Sequence, residues 1–288
     1  MSESVVADFV GRFHAANVGG SEPVRGRVVL SQRRLVLAAN ETKTTVPLSD
    51  IFDVAVGIVP PGVEDYFNDT VTVAYRDGGT QQSAIIESEG ENVGRFQTVL
   101  FKSLLNGKQA HTVPRARVGG RTTGADVQRC RLAVGPRRLK INGERDSLSL
   151  DLANVVHVER ETRSVGGEDR PTLSVRHLDG EAVTTYLALP SKRLMNVLSR
   201  FIRLEYGSLR EEVADRDYSQ SEKEVLVALY STPSGVSLPA VLGVEPAQVT
   251  MVLNDLSENG LVADVDGETT LTPKGRIAAG AYLEEVNN

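Results

Sequence analysis

Arginine carries most of the chemistry this sequence offers. Between Lys108 and Lys140 stand nine bases, Lys108, Arg115, Arg117, Arg121, Arg129, Arg131, Arg137, Arg138 and Lys140, against one acid, Asp126. A guanidinium presents a planar fork of donors that matches a carboxylate or phosphate, so seven arginines in this stretch predict a surface for an acidic partner. Arg115, Arg117, Arg121, Arg137 and Arg138 are the candidate contacts, joined by Arg33 and Arg34 earlier in the chain. The competing role is structural: these cations pair with acids of the same chain, such as Glu159, Glu161, Glu168 and Asp169, or simply begin a strand and point into solvent.

Nothing else suggests catalysis. His14, His111, His157 and His177 share no metal-ligand spacing, so neither a metal nor a cofactor is expected. Cys130 is the only cysteine, which excludes an internal disulfide and fits a cytoplasmic protein. No Ser/His/Asp set, catalytic carboxylate pair or nucleophile elbow is recognisable, and the expectation is a binding protein and no enzyme. Gly119-Gly120-Arg121-Thr122-Thr123-Gly124 faintly resembles a phosphate loop, but Ala125 and Asp126 replace the required lysine and hydroxyl, so it reads as a linker or bulge.

The elements that must position these arginines occur twice. Arg33-Arg34-Leu35 recurs as Arg137-Arg138-Leu139, a shift of 104, and Leu48, Asp50, Ile51 and Val54 map onto Leu152, Asn154, Val155 and Val158 at the same shift. Thr70-Val71-Thr72-Val73 and Asp77-Gly78 match Thr172-Leu173-Ser174-Val175 and Asp179-Gly180 at a shift of 102. Matches in one order imply duplication of a small domain. Runs of Val, Ile, Leu and Thr predict strands at 24–30, 34–39, 42–48, 51–57, 70–75 and 81–87, and again at 128–134, 138–141, 147–152, 155–161, 172–177 and 182–187. Asp77-Gly78, Asn142-Gly143 and Asp179-Gly180 read as turns. Loops at 59–68, with Pro60-Pro61, Asp65, Tyr66 and Phe67, and at 163–170, with Gly166-Gly167, differ between the copies. Phe96, Val99, Leu100 and Leu104, then Leu194, Val197, Leu198, Phe201 and Ile202, recur at helical spacing and end each copy in a helix. Six or seven antiparallel strands closed by a helix fit a pleckstrin-homology-like (PH-like) barrel; a helix-capped β-sandwich has the same pattern.

The last segment changes character. Ser221 to Glu224 reads as a capping box, Ser237 and Gly243 bound a short helix, and Pro246 and Gly260 bound a third. A hairpin around Asp266-Gly267 and a helix from Thr272-Pro273 complete a winged helix-turn-helix. Residues 218–288 carry ten acids against Lys223, Lys274 and Arg276, while the preceding 217 residues are near neutral, within a net charge of −6. Between Ser231 and Pro273 there is no base and there are six acids. DNA affinity rests largely on cations at phosphates, so this module is expected to dock protein or to dimerise, and to bind no nucleic acid. The fold class is therefore α+β multidomain: tandem PH-like domains, each an antiparallel β-barrel plus a C-terminal helix, at 1–107 and 108–210, then a winged helix-turn-helix at 218–288. No stretch is apolar enough for membrane insertion, and the charged N-terminus is unlike a signal peptide.

Taken in order, several stretches resemble one family, the archaeal taxis proteins CheF. They are Pro23 to Leu30, Arg33 to Leu37, Lys43 to Leu48, Arg117-Val118-Gly119-Gly120-Arg121, Gln248 to Leu256 and Leu271 to Arg276. The resemblance implies a cytoplasmic adaptor of chemotaxis and phototaxis that binds the phosphorylated response regulator CheY and associates with CheC and CheD proteins. It further implies coupling of these to the archaellum switch subunits at the motor base. The alternative, from the residues alone, is a winged-helix transcription regulator with β-rich sensor domains.

Overall fold

Alternating Val, Leu, Ile and Thr through the first 190 residues pair as two antiparallel sheets in the computed structural model, which describes residues 3–18, 22–57, 59, 66–88, 92–179, 181–232, 236–265 and 268–287. The first sheet comprises β1 (Val5–Ala15), β2 (Val24–Ser31), β3 (Arg34–Ala39), β4 (Thr42–Pro47), β5 (Ile51–Val56), β6 (Thr70–Asp77) and β7 (Thr80–Ser88). Their order across the sheet is β4-β3-β2-β1-β7-β6-β5, and helix α1 (Asn92–Leu105) follows. The second comprises β8 (Gln109–Val118), β10 (Gln128–Gly135), β11 (Arg138–Gly143), β12 (Ser147–Asp151), β13 (Val155–Val165), β14 (Glu168–Asp179) and β15 (Glu181–Ala188). Its order, β12-β11-β10-β8-β15-β14-β13, repeats the first strand for strand; a two-residue β9 (Arg121–Thr122) folds back on β8, and helix α2 (Lys192–Ala214) follows.

The duplicated tripeptides occupy equivalent turns. Arg33-Arg34 links β2 to β3 and Arg137-Arg138 links β10 to β11. In each turn the arginine carbonyl accepts from a leucine N–H 15 residues on: Leu48 to Arg33 at 2.8 Å and Leu152 to Arg137 at 2.9 Å. The central strands, β1 and β8, are absent from the strands expected of the sequence. The buried side of β1 is built from Gly11, Phe13 and Ala15, too small and too interrupted to read as an apolar stripe. Strand β8 is broken at Pro114-Arg115, where pairing with β15 shifts register and Arg115 takes φ +48°.

The expectations of a turn at Asn142-Gly143, a loop at 163–170 and a linker or bulge at 119–124 are refined by the structure. Asn142-Gly143 ends β11 and the reversal follows at 144–146, where the Gln128 side-chain oxygen accepts from the N–H groups of Arg145 (2.9 Å) and Asp146 (3.2 Å). Gly143 is required there by close approach: a Cβ would lie 2.3 Å from the Asp146 carbonyl. The region 163–170 is the tip of a long β13–β14 hairpin, closed by Gly166 and Gly167 at φ +67° and +84°. Gly119 and Gly120 make a hairpin between β8 and β9, with no helix behind it. Pro60, Pro61, Asp65, Gly180 and the Asp266-Gly267 turn lie outside the described residues.

Both sheets share one continuous core. Phe13, Leu30, Leu35 and Leu37 belong to it from the first repeat and Leu132, Leu139, Ile141 and Leu173 from the second, and the rings of Phe101 (α1) and Phe201 (α2) meet at 5.4 Å. Each such side chain contributes roughly 1.5–3 kcal/mol by leaving water. Arg193 of α2 donates through Nη1 to the carbonyls of Leu48 (3.2 Å) and Ile51 (2.6 Å), binding the second repeat's helix to the first repeat's sheet. The chain divides into compact units at Met1–Leu204 and Glu205–Asn288, so the two repeats form one unit.

The second unit holds α3 (Gln220–Ser231), α4 (Leu238–Leu242), α5 (Pro246–Glu258), a hairpin of β16 (Val262–Val265) and β17 (Glu268–Leu271), and α6 (Pro273–Asn287). Val225, Leu226, Leu256, Leu261 and Ala279 form its core. Its capping box is formed by Ser219 and Glu222, two residues before the expected one. Ser219 Oγ accepts from Glu222 N–H at 3.2 Å, and Glu222 Oε2 accepts from Ser219 N–H at 2.9 Å. Arg216 fixes that choice by donating to Glu222 Oε1 at 2.5 Å.

Candidate functional site

The sequence-predicted arginines do not form one cluster. Arg33 and Arg34 lie on the first sheet, and Arg34 is paired with Glu3 at 2.6 Å. Arg117 and Arg121 are exposed on the β8–β9 hairpin, and Arg115, at the β8 break, is paired with Asp179 at 2.5 Å. Arg137 and Arg138 lie beyond the opposite end of β10, at its turn to β11. Of the acids expected to neutralise the stretch, Glu161 pairs with Arg163 and Glu168 with Arg170. Arg117, Arg121 and Arg138 have no ion-pair partner among the described residues.

Between the two groups lies a site that the sequence reading missed. Strand register sets Gln109 and His111 of β8, Arg129 and Arg131 of β10, and Asn142 of β11 on the sheet face turned away from the core. With Glu144, Pro190 and Arg170 they line a cleft of about 580 Å³. Arg170 comes from the long β13–β14 hairpin; its Nη2 donates to Glu168 at 2.6 Å, and its buried Nε has no hydrogen-bond partner. Burial, then the charges of Arg170 and Arg129, hold the His111 imidazole below its ordinary pKa. At neutral pH the ring is therefore uncharged, with one nitrogen a donor and the other an acceptor. Arg129 and Arg131 have no ion-pair partner among the described residues. The signal available in the sequence was the Arg129-Cys130-Arg131 alternation, which turns both guanidinium groups to one face of a strand.

Cys130 points the other way, into the core, and burial pushes its thiol up to about 11. It is no nucleophile. Of the loop aromatics, Tyr66 is partly exposed, whereas Phe67 is buried with the Arg12 guanidinium 5.5 Å from its ring centre. Among the described residues no three His, Cys, Asp or Glu side chains are gathered to hold a metal ion.

In the second unit the four bases with described side chains are already engaged. Arg216 pairs with Glu222, Lys274 approaches Glu212 at 3.6 Å, Arg276 donates to the Leu271 carbonyl at 3.3 Å, and Lys223 sits 4.8 Å from the Tyr282 ring centre. Helix α5 turns Gln248, Thr250, Met251, Asn254 and Asp255 outward and buries Val249 and Leu256. Its exposed face offers no cation to a phosphate backbone.

Comparison with known proteins bears on the whole chain. Residues 5–208 match the family described as archaeal chemotaxis signal transduction system protein F, and residues 217–284 match a domain of unknown function. The chain is 46% identical to the taxis protein CheF2 of Halobacterium salinarum over 288 residues, the whole of both proteins. It is 30% identical to the taxis protein CheF1 of the same organism over 303 aligned positions, covering 99% of each.

Proposed function

The chain belongs to the archaeal CheF family of chemotaxis proteins, and from that premise we propose that it works as a non-enzymatic adaptor of the taxis pathway. In this reading it binds the phosphorylated response regulator CheY, associates with CheC and CheD proteins, and couples them to the archaellum switch at the base of the motor. Each repeat is a PH-like barrel with its closing helix, residues 1–107 and 108–210, and residues 218–288 form a winged helix-turn-helix.

The observation that carries the docking surface is the exposed, unneutralised basic face of the second repeat, with Arg117 and Arg121 at one end and Arg138 at the other. An acidic response regulator, made more negative by phosphorylation, complements it. At molar salt the Debye length is about 3 Å, so long-range steering disappears and only direct contacts survive. Arginine suits such contacts because its fork donates two hydrogen bonds at once.

The test is retention of CheY, phosphorylated and unphosphorylated, by the full chain and by a truncation ending at Gly207. Retention of the phosphorylated form by both supports docking on the β repeats; loss on truncation moves the site to the second unit. A transcription regulator is the other reading, and the cation-free α5 counts against it: duplex DNA should show no salt-dependent binding that Gln248, Thr250 or Asn254 substitutions abolish.

A further inference from the structure

The duplication provides an internal control for the cleft. Arg12 in β1 faces Arg25 of β2, and His111 in β8 faces Arg129 of β10, so register makes Arg12 and His111 equivalent. On their other flank Arg12 faces Glu87 of β7, whereas His111 faces Ala188 of β15. In the first repeat the Glu87 carboxylate fills this place. Its Oε2 accepts from Arg12 Nε at 3.1 Å and Nη2 at 2.8 Å, and its Oε1 from the Asn68 N–H at 2.8 Å. Arg27, the equivalent of Arg131, is likewise held by both oxygens of Asp8, at 2.8 and 2.6 Å. The second repeat keeps arginines at the places of Arg25 and Arg27, as Arg129 and Arg131, but has the uncharged His111 where Arg12 was and Ala188 where the carboxylate was.

We propose that the cleft of His111, Arg129, Arg131 and Arg170 binds a small organic oxyanion, a carboxylate or phosphate ester, whose charged end takes the place Glu87 occupies in the first repeat. The cleft, about 580 Å³, is larger than one carboxylate needs and lies within the range of small-molecule sites. The rest of the ligand lies along the amides of Gln109 and Asn142 and the Glu144 carboxylate. Glu144 accepts only, so the ligand presents a hydroxyl or amine there. Arg170 already spends one donor on Glu168, which leaves Arg129 and Arg131 as the cations without an ion-pair partner among the described residues, with the Glu144 carboxylate on the same wall. This small ligand is distinct from the protein partner proposed above and does not depend on it.

The experiment is calorimetric titration of the full chain with citrate and, separately, with inorganic phosphate, at ionic strength held constant with potassium chloride. The expected result is saturable binding of at least one probe with Kd below about 1 mM, weakened roughly tenfold or more in the Arg129→Ala/Arg131→Ala variant. Both side chains are exposed, so that variant should keep its melting temperature within about 2 °C; Arg131→Ala alone is the fallback if it does not. Binding of citrate alone identifies a carboxylate ligand, and binding of phosphate alone a phosphate ester. Absence of saturable heat with both probes, or equal binding by the variants, overturns the proposal. Saturable, arginine-dependent anion binding by a chain that retains no CheY would fail the docking reading only.

Discussion

Arg200 closes on Asp53 through two parallel hydrogen bonds, Nε to Oδ1 at 3.2 Å and Nη2 to Oδ2 at 3.0 Å. The arginine belongs to the closing helix of the second repeat and the aspartate to an edge strand of the first, 147 residues earlier. The pair therefore joins the two copies. Each side chain is 34% exposed, which limits its energetic weight. A double-mutant cycle of Asp53→Asn and Arg200→Gln should give a coupling of about 1 kcal/mol in urea unfolding. Additive effects would show that the pair contributes nothing. Arg193→Met should cost more, about 2 kcal/mol, because it strips a charged donor from two carbonyls at once.

Glu87 predicts a chemical rescue. Replacing it by alanine leaves Arg12 and the Asn68 N–H without their shared acceptor and should destabilise the chain by about 1–2 kcal/mol. Added acetate should recover part of that loss by occupying the vacated position, and chloride at equal ionic strength should not. Equal effects of the two salts would mean general screening.

Cys130 should be chemically silent in the folded protein. Its buried thiol, pushed up to about 11, has almost no thiolate at pH 8. Labelling by a thiol-directed disulfide reagent should track global unfolding and accelerate with urea. Rapid stoichiometric labelling in native buffer would contradict the core placement.

His177 predicts the direction of acid sensitivity. Burial lowers its pKa in the folded chain, with Asp179 opposing and Arg115 reinforcing that shift, and its Nε2 lies 3.2 Å from Thr185 Oγ. The unfolded state takes up a proton near pH 6.5, while the folded state resists it to lower pH. Stability is thus fully present above about pH 6.5 and is lost as pH falls toward the folded value. The melting temperature should drop between about pH 7 and pH 5, and His177→Gln should flatten that slope, with His111 supplying a remaining part. An unchanged slope would show that His177 is solvated.

Legibility in the sequence followed the range of the interactions. The turns at Arg33-Arg34 and Arg137-Arg138 were visible because a strand–turn–strand unit is local and duplication repeats it. The central strands β1 and β8 were hidden: one buries mostly small residues and the other carries a proline and a register break. The capping box moved two residues because Arg216, outside the motif, selects Glu222. The cleft was the least legible part. His111, Arg129 and Arg170 meet only after β10 and β15 have found β8 and the long hairpin has folded back, none of which spacing along the chain reveals.

The central claim is that the second repeat's basic face docks the phosphorylated response regulator. It is tested most directly by measuring CheY affinity, with beryllium fluoride as the phosphoryl mimic, for the full chain and for Arg117→Ser/Arg121→Ser and Arg137→Ser/Arg138→Ser variants. The account predicts that at least one variant loses roughly tenfold or more in affinity for the activated form, about 1.4 kcal/mol, while melting as the parent does. Parental affinity in both variants, or a loss matched by unfolding, would contradict it and return these arginines to a structural role.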